Sequence, residues 1–424
     1  MKLKFKISNN LVTFEFQSKT KGKWFKEYRI IKEPVPHIII NSNKEIHGWY
    51  DSSKPNGKRA CTAERLMLNP YNGCGWDCSF CYAQCLWGYF RLFLEKKIIT
   101  VFRDFDQVIR KQLSRLKVAS CGYLSPVTDP FQPINKKYNL TENIIETFLD
   151  FDLPVEVITK GRISNRAIRL LSEHKYNHSF GQVTILTMND DLRKQLILNS
   201  GASTKTLFEN IRKLTDNNLF SVCRIDPIIP YLTDNLQDIA EIIITAKEAG
   251  AKHIGVSCLD IPKFIQSKII DSLEQINPGI TEKLIQLYSE KMGVDFHANI
   301  RYRRDLFKEI KKICERIGIS MATCMEFEIK EGNGTLKYYN LNKDFMTSIN
   351  CEGKDIPLYK RQSFEKNFAP VNCKGNCLNC NVKILPCNIP ELQDARNWKL
   401  KDYRRWTKNI RLGNKLENYI KVRS

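Results

Sequence analysis

Three cysteines crowd into the run Cys74-Gly-Trp-Asp-Cys78-Ser-Phe-Cys81. At this spacing, C-x3-C-x2-C, three thiolates can wrap a short loop around one cubane. A [4Fe-4S] cluster usually takes four cysteines, so three leave one iron open to chelate a further ligand. Zinc is the alternative, because small cysteine clusters often bind it. Zinc sites favour four ligands in paired knuckles, however, and this loop offers an odd set. Cys85 is either a fourth ligand or a neighbour carried on the helical continuation.

The same spacing recurs in Cys373-Lys-Gly-Asn-Cys377-Leu-Asn-Cys380, and Cys387 follows. Here the ligand set is complete. The expectation is a second [4Fe-4S] cluster, with structural zinc as the alternative and Cys351 as a substitute ligand. A closed site of either kind would fold a loop-rich region outright, and it would also be able to hold substrate or pass electrons. Cys121, Cys223, Cys258, Cys314 and Cys324 stand in apolar or mixed surroundings and read as small core residues. The start, Met1 to Ser8, alternates lysine with apolar residues like a strand and lacks the apolar core of a secretory signal. That start points to the cytoplasm, where fifteen cysteines are not expected to form structural disulfides.

Net charge is +21, an excess that favours polyanionic partners, nucleic acid first. Part of it reflects a Lys/Ile/Asn-rich composition. The tail from Arg396 to Ser424 carries ten Lys/Arg against two acids, with Trp398, Tyr403, Trp406 and Tyr419 interleaved. Basic residues contact phosphates and aromatics stack on bases. The competing reading is an amphipathic helix that docks its aromatics on the body of the protein. A hydrophobic fraction of 42% and a charged fraction of 27% fit a soluble globular chain, and no stretch approaches a membrane span.

The elements that must position these residues follow a regular alternation. Strands are predicted at Arg65–Asn69, Ala119–Leu124, Val155–Thr159, Gln182–Thr187, Leu219–Ile225 and His253–Cys258. Helices are predicted between them at Phe105–Leu116, Glu142–Asp150, Asn165–Ser172, Thr204–Asn217 and Leu236–Ala249. Such alternation implies parallel β-α units, and six units make an α/β fold with a partial (β/α)6 barrel. The chemistry of such barrels lies on loops after the C-terminal strand ends. The expected organisation is a β-rich extension over 1–63 and the partial barrel over 64–280. A helical and loop continuation over 281–365 and a Cys-rich region with the basic tail over 366–424 complete it. Within the extension, the run Asp51–Arg59 reads as a loop. Within the continuation, helices are predicted at Glu282–Lys291 and Tyr302–Gly318, and a further strand at Ile319–Phe327.

A C-x3-C-x-aromatic-C loop after the first strand of a β-α barrel resembles the signature of the radical S-adenosylmethionine (SAM) superfamily. The resemblance implies that Cys74, Cys78 and Cys81 hold a [4Fe-4S] cluster and that the methionine amino and carboxylate groups of SAM bind its open iron. A reduced cluster then cleaves the sulfonium and yields a 5′-deoxyadenosyl radical. It also implies a flavodoxin- or ferredoxin-type electron donor, and it places Phe80 near the adenine.

The likeness extends through Gly122-Tyr-Leu-Ser-Pro-Val-Thr-Asp129-Pro-Phe-Gln-Pro133, Val157-Ile-Thr-Lys160, Ile185-Leu-Thr-Met-Asn189, Asn199-Ser-Gly-Ala-Ser-Thr and Arg224-Ile-Asp-Pro-Ile-Ile-Pro230. Together these are similar to the spore photoproduct lyase-like branch, over about residues 64–265. Carried over by position, Thr128 and Asp129 lie beside the SAM amino group, and Lys160 reaches its carboxylate. Thr187 and Asn189 contact methionine or ribose, and Arg224 and Asp226 face the same mouth. Each is otherwise an ordinary strand-end or cap residue. One departure is Ser125-Pro-Val-Thr-Asp, which lacks the hydrogen-donating cysteine of the lyase itself, so thymine-dimer repair by that route is not expected. The leading expectation is radical SAM modification or repair of a nucleic-acid base. The alternatives are a peptide or small-metabolite substrate, and a non-enzymatic nucleic-acid-binding protein with structural or redox-sensing clusters.

Overall fold

Short, largely apolar runs become strands covered on both faces, the burial expected of a parallel sheet. Seven of them, numbered along the sheet, are β1 (Leu66–Leu68), β2 (Gly122–Leu124), β3 (Val155–Thr159), β4 (Phe180–Thr184), β5 (Phe220–Ile228), β6 (His253–Cys258) and β7 (Ser320–Thr323). The computed structural model describes residues 4–18, 22–48, 64–199, 201–332, 335–393 and 398–408. Sheet order equals chain order, and the neighbours are parallel throughout. β1 and β7 are the two edges, so the sheet is open and does not close into a barrel. The six expected strands are all present. The seventh comes from the predicted strand Ile319–Phe327, shortened to four residues.

Helices connect successive strands at Phe105–Leu113, Leu140–Leu149, Asn165–Ser172, Thr204–Asp216, Leu236–Glu248 and Ile300–Ile317. Four of their starts are set by side-chain caps, Asn299 accepting from Arg301 N at the last of them. Ser164 accepts from Ala167 N, Ser203 from Thr206 N, and Asn235 from Gln237 N and Asp238 N. Val155, Val157, Val183, Cys223, Ile225, Ile254 and Val256 are essentially inaccessible and form the core with the helix faces.

Strands Lys4–Ser8, Leu11–Ser18 and Gly22–Arg29 form an antiparallel meander. Its Phe14 meets Tyr89 edge to face at 5.2 Å, so the meander covers the segment that follows the first cysteine loop. The run Asp51–Arg59 lies outside the described residues.

The N-terminal end of the sheet is closed by the later chain. Arg65, at the foot of β1, is fully buried between Glu156 and Glu352. Tyr359–Lys360 pairs with Val118–Ala119, just before β2, and with Ala369–Pro370. The tail then docks beside it as a helix over 400–408. Trp398, Tyr403 and Trp406 are buried, with ring centroids 4.9 and 4.8 Å apart at the two contacts of Trp406. Tyr403 donates to Glu64 at 2.6 Å. For these three aromatics the docking alternative holds and base stacking is overturned, because buried rings have no free face. Tyr419 lies outside the described residues.

Candidate active site

The loop of Cys74, Cys78 and Cys81 leaves the sheet at the C-terminal end of β1, through the two-residue strand Tyr71–Asn72. Gly73 turns the chain at φ +96°, and a Cβ there would lie 2.8 Å from the Phe93 ring, so glycine is required. Neighbouring loops then fix the backbone. Gln132 accepts from Gly75 N at 2.8 Å and donates to Gly73 O at 3.3 Å. Asn199 donates to Gly75 O at 2.8 Å, and Ser79 N donates to Leu196 O at 3.0 Å. Gln132 and Asn199 stand inside the motif runs quoted above, but nothing in their types or spacing marked them as loop supports.

Burial pushes all three thiols up, Cys78 to about 12, and each is close enough to the others for their charges to interact. Without a metal they are therefore held neutral, and a bound iron would have to displace the proton. Cys85 lies on the following 3-10 turn, Tyr82–Cys85, and is pushed up to about 11. Among the described residues, no three Cys, His, Asp or Glu side chains converge as a single ion requires. A cubane makes a different demand, since each thiolate takes its own iron.

Asp129 sits in the turn after β2 and is committed to the protein on both oxygens. It accepts from Phe131 N at 2.8 Å, from the Thr159 hydroxyl at 2.7 Å and from Lys160 N at 2.7 Å. Burial raises its pKa against those three bonds. The Lys160 ammonium makes no ion pair or hydrogen bond among the described residues. It stands 6.0 Å from the centroid of the buried Phe80 ring, and its charge reaches Cys78, Cys81, Asp129 and Asp226. In the same two segments, Asn69 Oδ1, Trp76 Nε1, Ser125 Oγ and Thr128 Oγ1 are buried with no partner. Ser125 also holds a left-handed backbone, φ 58°. Buried polar atoms are rarely left unpaired, so this cluster is open to a ligand or to water. The mouth thus offers thiols for a metal, unpaired polar atoms and one unengaged cation, the kind of set that a cluster and a zwitterionic amino acid need.

The remaining expected residues occupy the same end of the sheet with protein partners of their own. Thr187 donates to Asp238 at 2.9 Å and accepts from Asn189 N at 3.1 Å. Asn189 caps the short helix Asp190–Leu196 through Asp191 N and Leu192 N. Arg224 pairs with Asp226 and donates to Gln182 at 3.0 Å, while Asp226 also accepts from Ser257. Cys324, read from sequence as a core cysteine, instead follows β7 at this mouth and lies against Arg224. Burial pushes its thiol up to about 12, opposed by that guanidinium.

The second cysteine set is elsewhere. Cys373, Cys377, Cys380 and Cys387 follow Ala369–Pro370, which belongs to the small sheet at the foot of β2. Val118–Ala119 comes just ahead of β2, so this small sheet lies at the end of that strand opposite the Cys74 loop. Cys377 and Cys387 are buried, and Cys387 interacts electrostatically with Cys373 and Cys380. The loop is pinned by Gln393 donating to Cys380 O at 2.9 Å and Lys360 donating to Pro386 O at 3.2 Å. No disulfide joins the described cysteines, and no described helix is long and apolar enough to cross a membrane.

No family model matches the chain. Among curated proteins it is similar to the Radical SAM Nalpha-GlyT isomerase of Pseudomonas phage M6, 27% identical over 359 residues that cover 82% of this chain and 73% of that protein. It is also similar to an uncharacterized protein of Methanocaldococcus jannaschii, 25% identical, covering 62% of this chain and 95% of the other. Among solved structures, spore photoproduct lyase with bound AdoMet and dinucleoside spore photoproduct overlays with a TM-score of 0.49 at 13% identity, covering 69% of this chain and 82% of that one. A radical SAM methyltransferase from Sphaerobacter thermophilus overlays at 0.37 and 12% identity, covering 76% of each chain. The curated match to an isomerase runs through most of the chain, and the cysteine loop sits where an open parallel sheet presents its chemistry. Over most of its length the chain is similar to a radical SAM enzyme.

Proposed function

We propose that Cys74, Cys78 and Cys81 hold a [4Fe-4S] cluster at which SAM is cleaved reductively, and that the 5′-deoxyadenosyl radical acts on a nucleic-acid base. The observation that carries the first part is the set of unpaired polar atoms and the unengaged Lys160 ammonium around the three thiols. The bound cluster and SAM supply the electron and the radical. The residues of this chain bind and orient. Lys160 meets the SAM carboxylate, a charge-assisted contact, and Asp129 positions it by holding its backbone N–H. Ser125 and Thr128 offer hydroxyls beside the amino group, and Phe80 packs near the adenine. Thr187, Asn189, Arg224 and Asp226 shape the mouth, and their own hydrogen bonds make them positioning residues.

The isomerase named among the relatives points to a rearrangement, in which an abstracted hydrogen is returned to the same substrate. Net charge of +21 supports a polyanionic substrate. A peptide or small metabolite is the alternative, and a flavodoxin- or ferredoxin-type protein is the proposed electron donor. Cys373, Cys377, Cys380 and Cys387 are assigned to a second metal centre, an iron–sulfur cluster or zinc. Its distance from the mouth favours a folding role over substrate binding. Anaerobically reconstituted protein with dithionite and SAM should release 5′-deoxyadenosine. Protein with a full iron content that leaves SAM intact would sink the reading.

A further inference from the structure

Among the described residues three aromatic rings are more than half exposed, Phe25, Trp87 and Phe264, and the last two stand together beside the mouth. Trp87 and Phe264 are 59% and 68% exposed, and their rings meet edge to face at 6.4 Å. Trp87 lies just past the turn Tyr82–Cys85, six residues beyond Cys81. Phe264 lies on the turn Lys263–Ile265, which packs against the first turn. Exposed rings of this size are costly unless a partner covers them.

Cations adjoin the pair. Burial, and next the charge of the nearby Lys97, lowers the Lys268 pKa. Lys268 donates to Gln84 and Lys97 pairs with Asp77. Lys263 is exposed on the Phe264 turn. The acids nearby are Asp77 and, beside Cys85, Asp295. Two ammonium groups near one carboxylate leave positive charge unmatched, which an anion would complete.

We propose that Trp87 and Phe264 form a platform on which an unpaired base of single-stranded nucleic acid stacks, with its phosphate at Lys97 and Lys268. The inference rests on the nucleic-acid reading above and deepens it. Aromatic faces beside cations are what sequence-tolerant single-strand binding uses. Neither turn belongs to the docked tail, so this surface does not depend on Trp398, Tyr403 or Trp406. A strand laid here passes the loop that carries the three thiols.

The test is fluorescence anisotropy of the full-length reconstituted protein with a fluorescein-labelled oligo-dT of about twelve nucleotides, over a series of NaCl concentrations. Trp87→Ala with Phe264→Ala should weaken binding about tenfold and leave the salt slope unchanged. Trp87→Phe with Phe264→Tyr should restore most of it. Lys97→Gln with Lys268→Gln should lower the slope by about one, because fewer counterions are released. Wild-type binding that the alanine pair leaves intact would overturn the platform alone. Loss in the alanine pair that the aromatic pair fails to restore would also overturn it, as a fault of structure and not of stacking. No salt-sensitive binding by the wild type would overturn the nucleic-acid reading and the platform together.

Discussion

Asp129 accepts the backbone N–H of Lys160 at 2.7 Å across the ends of β2 and β3. The bond gives Asp129 a role other than the SAM amino-group contact that the resemblance implies. Asp129 is a buried strut with three protein donors, whereas Lys160 keeps its ammonium free over Phe80. Lys160→Ala should therefore weaken SAM binding more than tenfold, the loss of a charged hydrogen bond worth about 1.5–3 kcal/mol. Its melting temperature should stay within a few degrees of wild type. Asp129→Ala should lower both, because Lys160 N, Phe131 N and the Thr159 hydroxyl lose their acceptor. Isothermal titration with SAM and a thermal melt of each variant separate the two. Equal melting temperatures would remove the strut.

Cys78→Ala should abolish release of 5′-deoxyadenosine, since the cubane loses one of three anchors on a loop already fixed by Gln132 and Asn199. Chromatographic assay of SAM cleavage under reducing, anaerobic conditions is the measurement. Turnover at the wild-type rate would move the cluster to other ligands.

A triple Cys74/Cys78/Cys81→Ala variant isolates the second set. About four irons left per chain, read by iron and sulfide analysis, would mark a cluster there. One zinc and no iron would leave a structural site. Cys377→Ser in the otherwise native chain should lower the melting temperature while SAM affinity holds, because the loop lies at the opposite end of β2.

Acid should weaken the fold through two buried imidazoles. Burial holds both His174 and His253 down to about 4. The unfolded chain takes up protons near 6.5, before the folded one does. Stability is therefore lost as pH falls from about 6.5 to about 4 and is level below that, a loss on the order of a few kcal/mol. His253→Asn keeps a polar group toward Ser320 and cannot titrate. Denaturant midpoints at pH 7 and pH 5 should differ less in this variant than in wild type.

The strands and helices of the sheet were legible because each connection announces itself. Asn165–Ser172 was read to the residue, since Ser164 caps its start and four apolar residues line one face. β4 was placed two to three residues late, because Ile185, Leu186 and Thr187 continue the apolar run after the ladder ends at Thr184. β7 was read as a strand but not as a sheet member, since pairing with β6 is a long-range fact that no local pattern carries. At the mouth, residue types showed which groups can do chemistry, but not which are already spent. Asn189 is spent on a cap, Arg224 on Asp226 and Asp129 on Lys160. The pairing of Trp87 with Phe264 is not legible in the sequence, because the two lie far apart along the chain and exposure cannot be read from one chain position.

The tail offers the sharpest contrast with that exposed pair. Trp406 is 1% exposed and stacks edge-on against both Trp398 and Tyr403. Trp406→Ala should cost about 3–5 kcal/mol, the price of a large cavity in a packed core. The loss should appear as a lower melting temperature, with oligonucleotide affinity unchanged at temperatures where the variant is folded. Tyr403→Phe should cost less, about 1–3 kcal/mol, because the buried Glu64 carboxylate loses a donor while the ring remains. Basic residues on the outer side of the 400–408 helix, Arg404, Arg405 and Lys408, are exposed and would act on nucleic acid only through charge. Replacing all three with glutamine should lower the salt slope without changing the melting temperature. If Trp406→Ala instead weakens oligonucleotide binding tenfold in a fully folded protein, the tail's rings must leave their core positions to stack, and the docked arrangement is not the one that binds.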